Sequence, residues 1–174
     1  MIARSRPALD EYPAALAGYV GRIGEEEEVL AVLADQLDEL PALLGRSGEG
    51  LGDYRYTPGK WTVKEVVGHL SDTERILSCR ALRFARGDAT PLASFDDQAY
   101  VAELGAAGRM LSEMIGEWSD VRRAALALFR HLSAAAWCRR GIASDQPISV
   151  RALAYVIAGH TRHHVETLRA RYIS

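Results

Sequence analysis

The sequence predicts an all-α protein, a four-helix bundle formed as a single domain over residues 1–174. Three observations carry that expectation. Apolar residues recur at three- and four-residue steps along four separate stretches, the signature of amphipathic helices. No stretch alternates convincingly with the period of two that marks a half-buried strand. Helix-start signals stand where two of the stretches begin. Each apolar stripe needs partners, and a bundle lets four stripes face one another.

Taken in order, residues 1–23 read as an irregular arm, interrupted by Pro7, Pro13 and two glycines. Tyr12 and Tyr19 are candidates to pack it on the body. Leu30, Leu33, Leu37, Leu40 and Leu44 define the first long helix. The acidic run Glu25–Glu28 precedes it, where carboxylates suit the positive end of a helix dipole. Pro41 is expected to bend or end this helix early. A glycine-rich loop follows at 45–53.

Thr62 followed by Glu65 forms a capping box and predicts a second helix start. Val66, His69, Thr73, Leu77, Arg80 and Phe84 share one face of that helix, and Gly87 marks its stop. Residues 88–105 read as a long loop with a short helical turn near Asp97–Ala102. A third helix is expected from about Arg109 to Leu132. Its stripe is Leu111, Ile115, Trp118, Val121, Ala125, Leu128 and Leu132. Residues 133–148 read as irregular. Ser149 can cap a last helix running to about Arg171. Trp61 and Trp137 read as packing anchors near helix ends.

The bulk numbers narrow the function. With 48% hydrophobic and 25% charged residues, the chain has the ordinary globular mix. A formal net charge of -2 argues against nucleic acid as a partner, since phosphate binding calls for a basic surplus. Cys79 and Cys138 are too few for a disulfide framework, which suits a reducing compartment. No apolar run approaches the ~20 residues of a membrane helix. The N-terminus has no unbroken apolar leader segment. A cytoplasmic location and no membrane partner are therefore expected.

Chemistry concentrates in the histidines: His69, His131, His160, His163 and His164. A four-residue step turns a helix about 40° past one full turn and rises ~6 Å. His160 and His164 therefore point the same way, along the stripe of Leu153, Ile157 and Leu168. His69 lies on the inward stripe of the second helix. Histidines at this spacing also occur as surface pairs, but three inward imidazoles need hydrogen-bond partners or a metal. Three neutral imidazoles suit a first-row divalent ion and leave positions open, as catalytic sites do.

His163 lies about 60° away, as a helix-packing residue or a donor supporting the site. His131 falls near the end of the third helix and reads as structural or exposed. Cys79 stands ~15 Å along the helix from His69 and off its face; both cysteines read as core or surface thiols. Asp72 or Thr73 could orient a ligand imidazole, although Asp72 has the pattern of an exposed helix residue. Arg80, buried on the inward stripe, wants a carboxylate or an anionic ligand, and an interhelical salt bridge is the expected partner.

The segments PGKWTVKEVVGHLSDTERILSCRALRFARGD and ISVRALAYVIAGHTRHHVETLRARY resemble the two signature segments of the DinB/YfiT-like superfamily. Nearly the whole chain takes part in the resemblance. It implies a four-helix bundle of up-down-down-up connectivity. It also implies a site for one divalent metal ion, zinc or nickel, on His69, His160 and His164, and a homodimer. Relatives include transferases that use low-molecular-weight thiols. The resemblance thus implies a metal-dependent thiol S-transferase acting on a small-molecule thiol and an electrophile. A metal-dependent hydrolase is the alternative, with Asp72 as the nominated base, and a non-catalytic metal- or ligand-binding domain is a third reading. Substrate-facing residues are expected from the loops at 45–61, 88–108 and 133–148.

Overall fold

Four long helices are present in the computed structural model, which describes residues 5–173: α2 (Val29–Gly45), α3 (Val63–Ala85), α5 (Leu111–Arg130) and α7 (Val150–Arg171). A short α1 (Ala17–Val20) precedes them, and between them lie α4 (Asp97–Glu103), α6 (Ala134–Cys138) and a hairpin of β1 (Arg140–Ala143) with β2 (Gln146–Ser149). Residues 1–4 of the N-terminal arm lie outside the described residues.

Local chemistry explains most boundaries. Thr62 Oγ1 accepts from Glu65 N while Glu65 Oε2 accepts from Thr62 N, so the capping box starts α3. Gly87, at φ +82°, takes the left-handed conformation just past its end. Ser149 Oγ accepts from Ala152 N and starts α7. Glu28 caps α2 through Ala31 N. Pro41 does not end α2, which continues to Gly45. Its effect is local, because a proline removes only its own donor and strains one preceding carbonyl.

The connectivity is up-down-down-up. α3 packs on α5 and α7, and α2 packs on the same two helices, so α2 and α3 sit on a diagonal. Val66 and Leu70 share a cluster with Leu111 and Met114. Leu77 and Phe84 share the other with Ala125 and Phe129, so α3 and α5 are parallel. Gln36 meets Ala158 and Glu39 meets Arg169, so α2 and α7 are parallel. Trp61 meets Tyr172 and His69 meets His160, so α3 and α7 run oppositely.

Parallel α3 and α5 force the chain to return along the bundle between them. For the 23 residues of α3 that is about 35 Å. Residues 86–110 make this return, and they carry α4 past the side of the bundle. Leu92 ties the return to the hairpin through Leu92 N to Ile142 O and Ser144 N to Leu92 O, each 2.9 Å.

Three segments differ from the sequence-based expectation. The described part of the arm is a chain of short helical turns, Leu9–Glu11, Ala14–Leu16 and α1. Val20 and Ile23 at its end are fully buried. Glu11 is held at a pKa of about 2: burial pushes it up, but hydrogen bonds from Arg151 and Ala8 N outweigh that, pinning the arm to α7. Residues 133–148 are ordered as α6 and the hairpin. Its two-residue turn puts Ser144 and Asp145 at φ 52° and 60°. Finally, the buried line of α5 is Leu111, Met114, Trp118, Arg122, Ala125 and Phe129. Ile115, Val121 and Leu128 are only half-buried. The stripe is rotated so that an arginine, not Val121, faces the core.

That arginine organises the interior. Two apolar clusters fill the bundle, one around Phe84, Phe129 and Leu153 and one around Leu40, Trp118 and Leu168. Polar groups from all four long helices meet at Arg122. Its side chain is fully buried. Nε and Nη2 donate to Glu74 at 2.6 and 3.0 Å. Nη1 donates to Gln36 Oε1 at 2.6 Å and Leu33 O at 3.1 Å. Nη2 also donates to Thr161 Oγ1 at 2.9 Å. The guanidinium lies 4.9 Å from the Trp118 ring centre. Among the described residues, no helix is long and apolar enough to cross a membrane.

Candidate metal centre

His69 is carried by α3, and His160 and His164 by successive turns of α7. Antiparallel packing brings them together. His160 Nε2 lies 3.0 Å from His69 Nε2 and 3.2 Å from His164 Nε2. The nearest ring nitrogens of all three lie within 4.8 Å of one another. One ring nitrogen carries either one proton or one lone pair. His160 Nε2 therefore makes at most one well-formed hydrogen bond to its two neighbours, and the other close contact is left without one.

Burial keeps these imidazoles neutral. It pushes His160 well below the usual histidine range, with His164 and His69 adding to the effect. His164 is pushed down to about 3, by burial and then by His69 and His163. His69 is lowered by burial, with Asp97 pulling the other way. Neutral rings with converging lone pairs are what a divalent ion requires. Metal–nitrogen bonds of ~2.0–2.1 Å at octahedral to tetrahedral angles separate donors by roughly 2.9–3.4 Å. The two separations to His160 fall in that interval and the third pair lies within 4.8 Å, so the donor set suits a divalent ion.

Neighbouring residues orient the rings. Thr73 Oγ1 lies 3.4 Å from His69 Nδ1, on the side of the ring away from the other histidines. The Trp61 ring packs against His69 at 4.7 Å between centres. Trp61 is therefore a neighbour of the centre as well as a helix-end anchor. Tyr19 stands edge-on to His160 at 5.3 Å and to His163 at 5.9 Å. Tyr19 reaches them because Gly159 has no side chain: a Cβ there would lie 2.0 Å from Tyr19 O.

The three histidines line a cleft of about 580 Å³. α3 contributes His69, Thr73, Leu77 and Arg80, and α7 contributes the histidines with Leu153 and Val156. The arm adds Tyr19, the return segment Phe95 and Asp97, and the hairpin Ser144 and Ile148. Two of the three loops expected to face a substrate thus reach the cleft through these residues, and Trp61 comes from the third.

The remaining candidates separate clearly. His163 lines the cleft and stands edge-on to His164 at 5.1 Å, outside the group of three. His131 caps the end of α5 and is exposed. Both cysteines are exposed. Asp72 pairs with Arg75 at 3.3 Å and does not line the cleft. Arg80 has no acidic partner within 4 Å among the described residues; the buried interhelical pair is Arg122–Glu74 instead. Sequence spacing missed Asp97, whose only signal was an acidic residue in a helical turn, because a return segment has no periodicity to aim its side chains. It also missed Arg122, whose signal was a charge four residues from Trp118 on the same helix face.

Comparison with known proteins agrees with this architecture. No curated protein matches the sequence. Among solved structures the chain is similar to YfiT from Bacillus subtilis, with a TM-score of 0.75 and 17% sequence identity. The match covers 95% of this chain and 93% of that one. YfiT is described as a probable metal-dependent hydrolase with an unusual four-helix bundle topology. The family model of the DinB superfamily matches residues 10–168. The order of the helices, their packing and this match together place the chain in the DinB superfamily.

Proposed function

We propose that the chain is a metal-dependent hydrolase that holds one divalent ion on His69, His160 and His164. The observation that carries the reading is the convergence of three neutral imidazole nitrogens, 3.0 and 3.2 Å apart, in a substrate-sized cleft. An ion held there would supply Lewis acidity to a water or a substrate oxygen. Nitrogen donors suit zinc or nickel, with availability deciding between them.

The chain's own residues then have defined tasks. Thr73 and Trp61 hold the His69 ring in place. Asp97 is the candidate general base, in place of Asp72: it lines the cleft, and its charge is felt by both His69 and Tyr19. Its carboxylate accepts the proton that the attacking water loses. Leu77, Phe95, Leu153 and Val156 give the cleft an apolar wall that seats a substrate body.

Thiol transfer is the second reading. The apolar wall and the volume of about 580 Å³ also accommodate a small thiol beside an electrophile, and this chemistry needs no carboxylate base. One experiment separates the two. Cobalt-loaded protein is mixed with glutathione, mycothiol or bacillithiol, and separately with a panel of esters and amides. Metal-dependent hydrolysis that falls at least tenfold in Asp97→Asn, with no sulfur-to-cobalt charge-transfer band from any thiol, supports the hydrolase. A strong band together with thiol conjugation, unaffected by Asp97→Asn, overturns it in favour of transfer. A homodimer belongs to this reading through the family resemblance, and light scattering that gives a mass near 19.1 kDa counts against it.

A further inference from the structure

Arg80 stands about three turns from His69 on the same face of α3, a rise of about 16 Å. It is 8% exposed and lines the same cleft. Nη2 donates to Ala93 O at 2.6 Å and to Ser144 Oγ at 3.2 Å. Nε and Nη1 have no partner among the described residues. The guanidinium carbon lies 5.8 Å from the centre of the Phe95 ring. A buried arginine without a carboxylate is costly, and its Nε–H and Nη1–H, on either side of the occupied Nη2 fork, each remain to donate a charge-assisted hydrogen bond.

We propose that Arg80 is the anion subsite of this cleft, and that the ligand is an elongated molecule with a terminal carboxylate. Its carboxylate accepts a charge-assisted hydrogen bond from one of these free donors of Arg80. Ser144 Oγ, already accepting from Arg80, is free to donate its own hydrogen to the same group. The apolar body lies along Leu77, Leu153 and Val156, and the other end reaches the three histidines. A single guanidinium faces a cleft that also contains Asp97, so a monoanion is favoured over a dianionic phosphate. The claim that this ligand is the substrate rests on the metal-dependent reading above; the carboxylate subsite itself does not.

The test is a titration of the full chain with octanoate and octanamide, followed by tryptophan fluorescence from Trp61 in the cleft. Octanoate should bind at least about tenfold more tightly than octanamide, the scale of one charge-assisted pair. The preference should persist after chelation of metal and in His160→Ala. It should vanish in Arg80→Gln and return in part in Arg80→Lys. Arg80 also anchors Ala93 and Ser144. If Arg80→Gln fails to fold, the comparison in metal-free parent protein and the Arg80→Lys variant decide. Equal binding of the two ligands, or a preference that survives Arg80→Gln, overturns the assignment. So does a preference lost on chelation, which would put the carboxylate at the histidines. Tighter binding of octyl phosphate than of octanoate overturns the choice of carboxylate. Metal bound without any carboxylate preference rejects the subsite alone, whereas the preference without metal binding rejects the metal-dependent reading alone.

Discussion

Replacing Arg122 with methionine keeps most of the side-chain volume and removes five donors at once. Glu74, 2% exposed, would then be a buried carboxylate without its bidentate partner. Gln36 Oε1, Leu33 O and Thr161 Oγ1 would each lose a donor. Removing one partner of a buried pair costs about 3–5 kcal/mol, because the remaining charge stays desolvated. The domain's whole stability is of the order of 5–15 kcal/mol, so Arg122→Met should consume a large part of it. At about 3 °C per kcal/mol for a chain of this size, the melting temperature should fall by roughly 10 °C. Urea unfolding gives the free energy directly, and calorimetry the melting shift. The double variant Glu74→Leu with Arg122→Met removes both charges and should recover at least half of the loss. A single-variant loss under 1 kcal/mol, or a double variant less stable than the sum of the singles, would refute the reasoning.

Three further outcomes follow from the structure. His69→Ala, His160→Ala and His164→Ala should each lower metal affinity by a hundredfold or more, while His163→Ala stays within a few-fold of the parent, as measured by competition with a chromogenic chelator. Metal-free protein should lose stability as the pH falls below about 6.5: the unfolded chain then binds protons that the buried imidazoles refuse. The depressed histidines favour folding at neutral pH. For His164, held at about 3, the loss reaches about 2 kcal/mol by pH 5 and should be visible in urea midpoints; a flat profile over that range would count against buried neutral rings. Gly159→Ala should push the arm off α7, since its Cβ would meet Tyr19 O at 2.0 Å; the expected signs are a loss of about 2–3 kcal/mol and faster proteolysis near Tyr19.

Much of this protein is determined by its sequence alone, wherever the signal is local. The Thr62–Glu65 box and Ser149 fix where α3 and α7 begin, because a cap is a bond between residues three apart. The 3.6-residue period turns His69, His160 and His164 inward, so their convergence was legible before any coordinates. The hairpin was not legible: its strands are four residues each, and its Ser-Asp turn lacks the glycine that usually announces one. Nor was the direction of Arg80, whose expected salt bridge belongs to Arg122, or the place of Asp97 in the cleft. Those depend on which helices become neighbours and on where a return segment of about 25 residues lies. Parallel α3 and α5 make that return obligatory. The tertiary packing alone decides that it runs beside the histidines and brings a carboxylate with it.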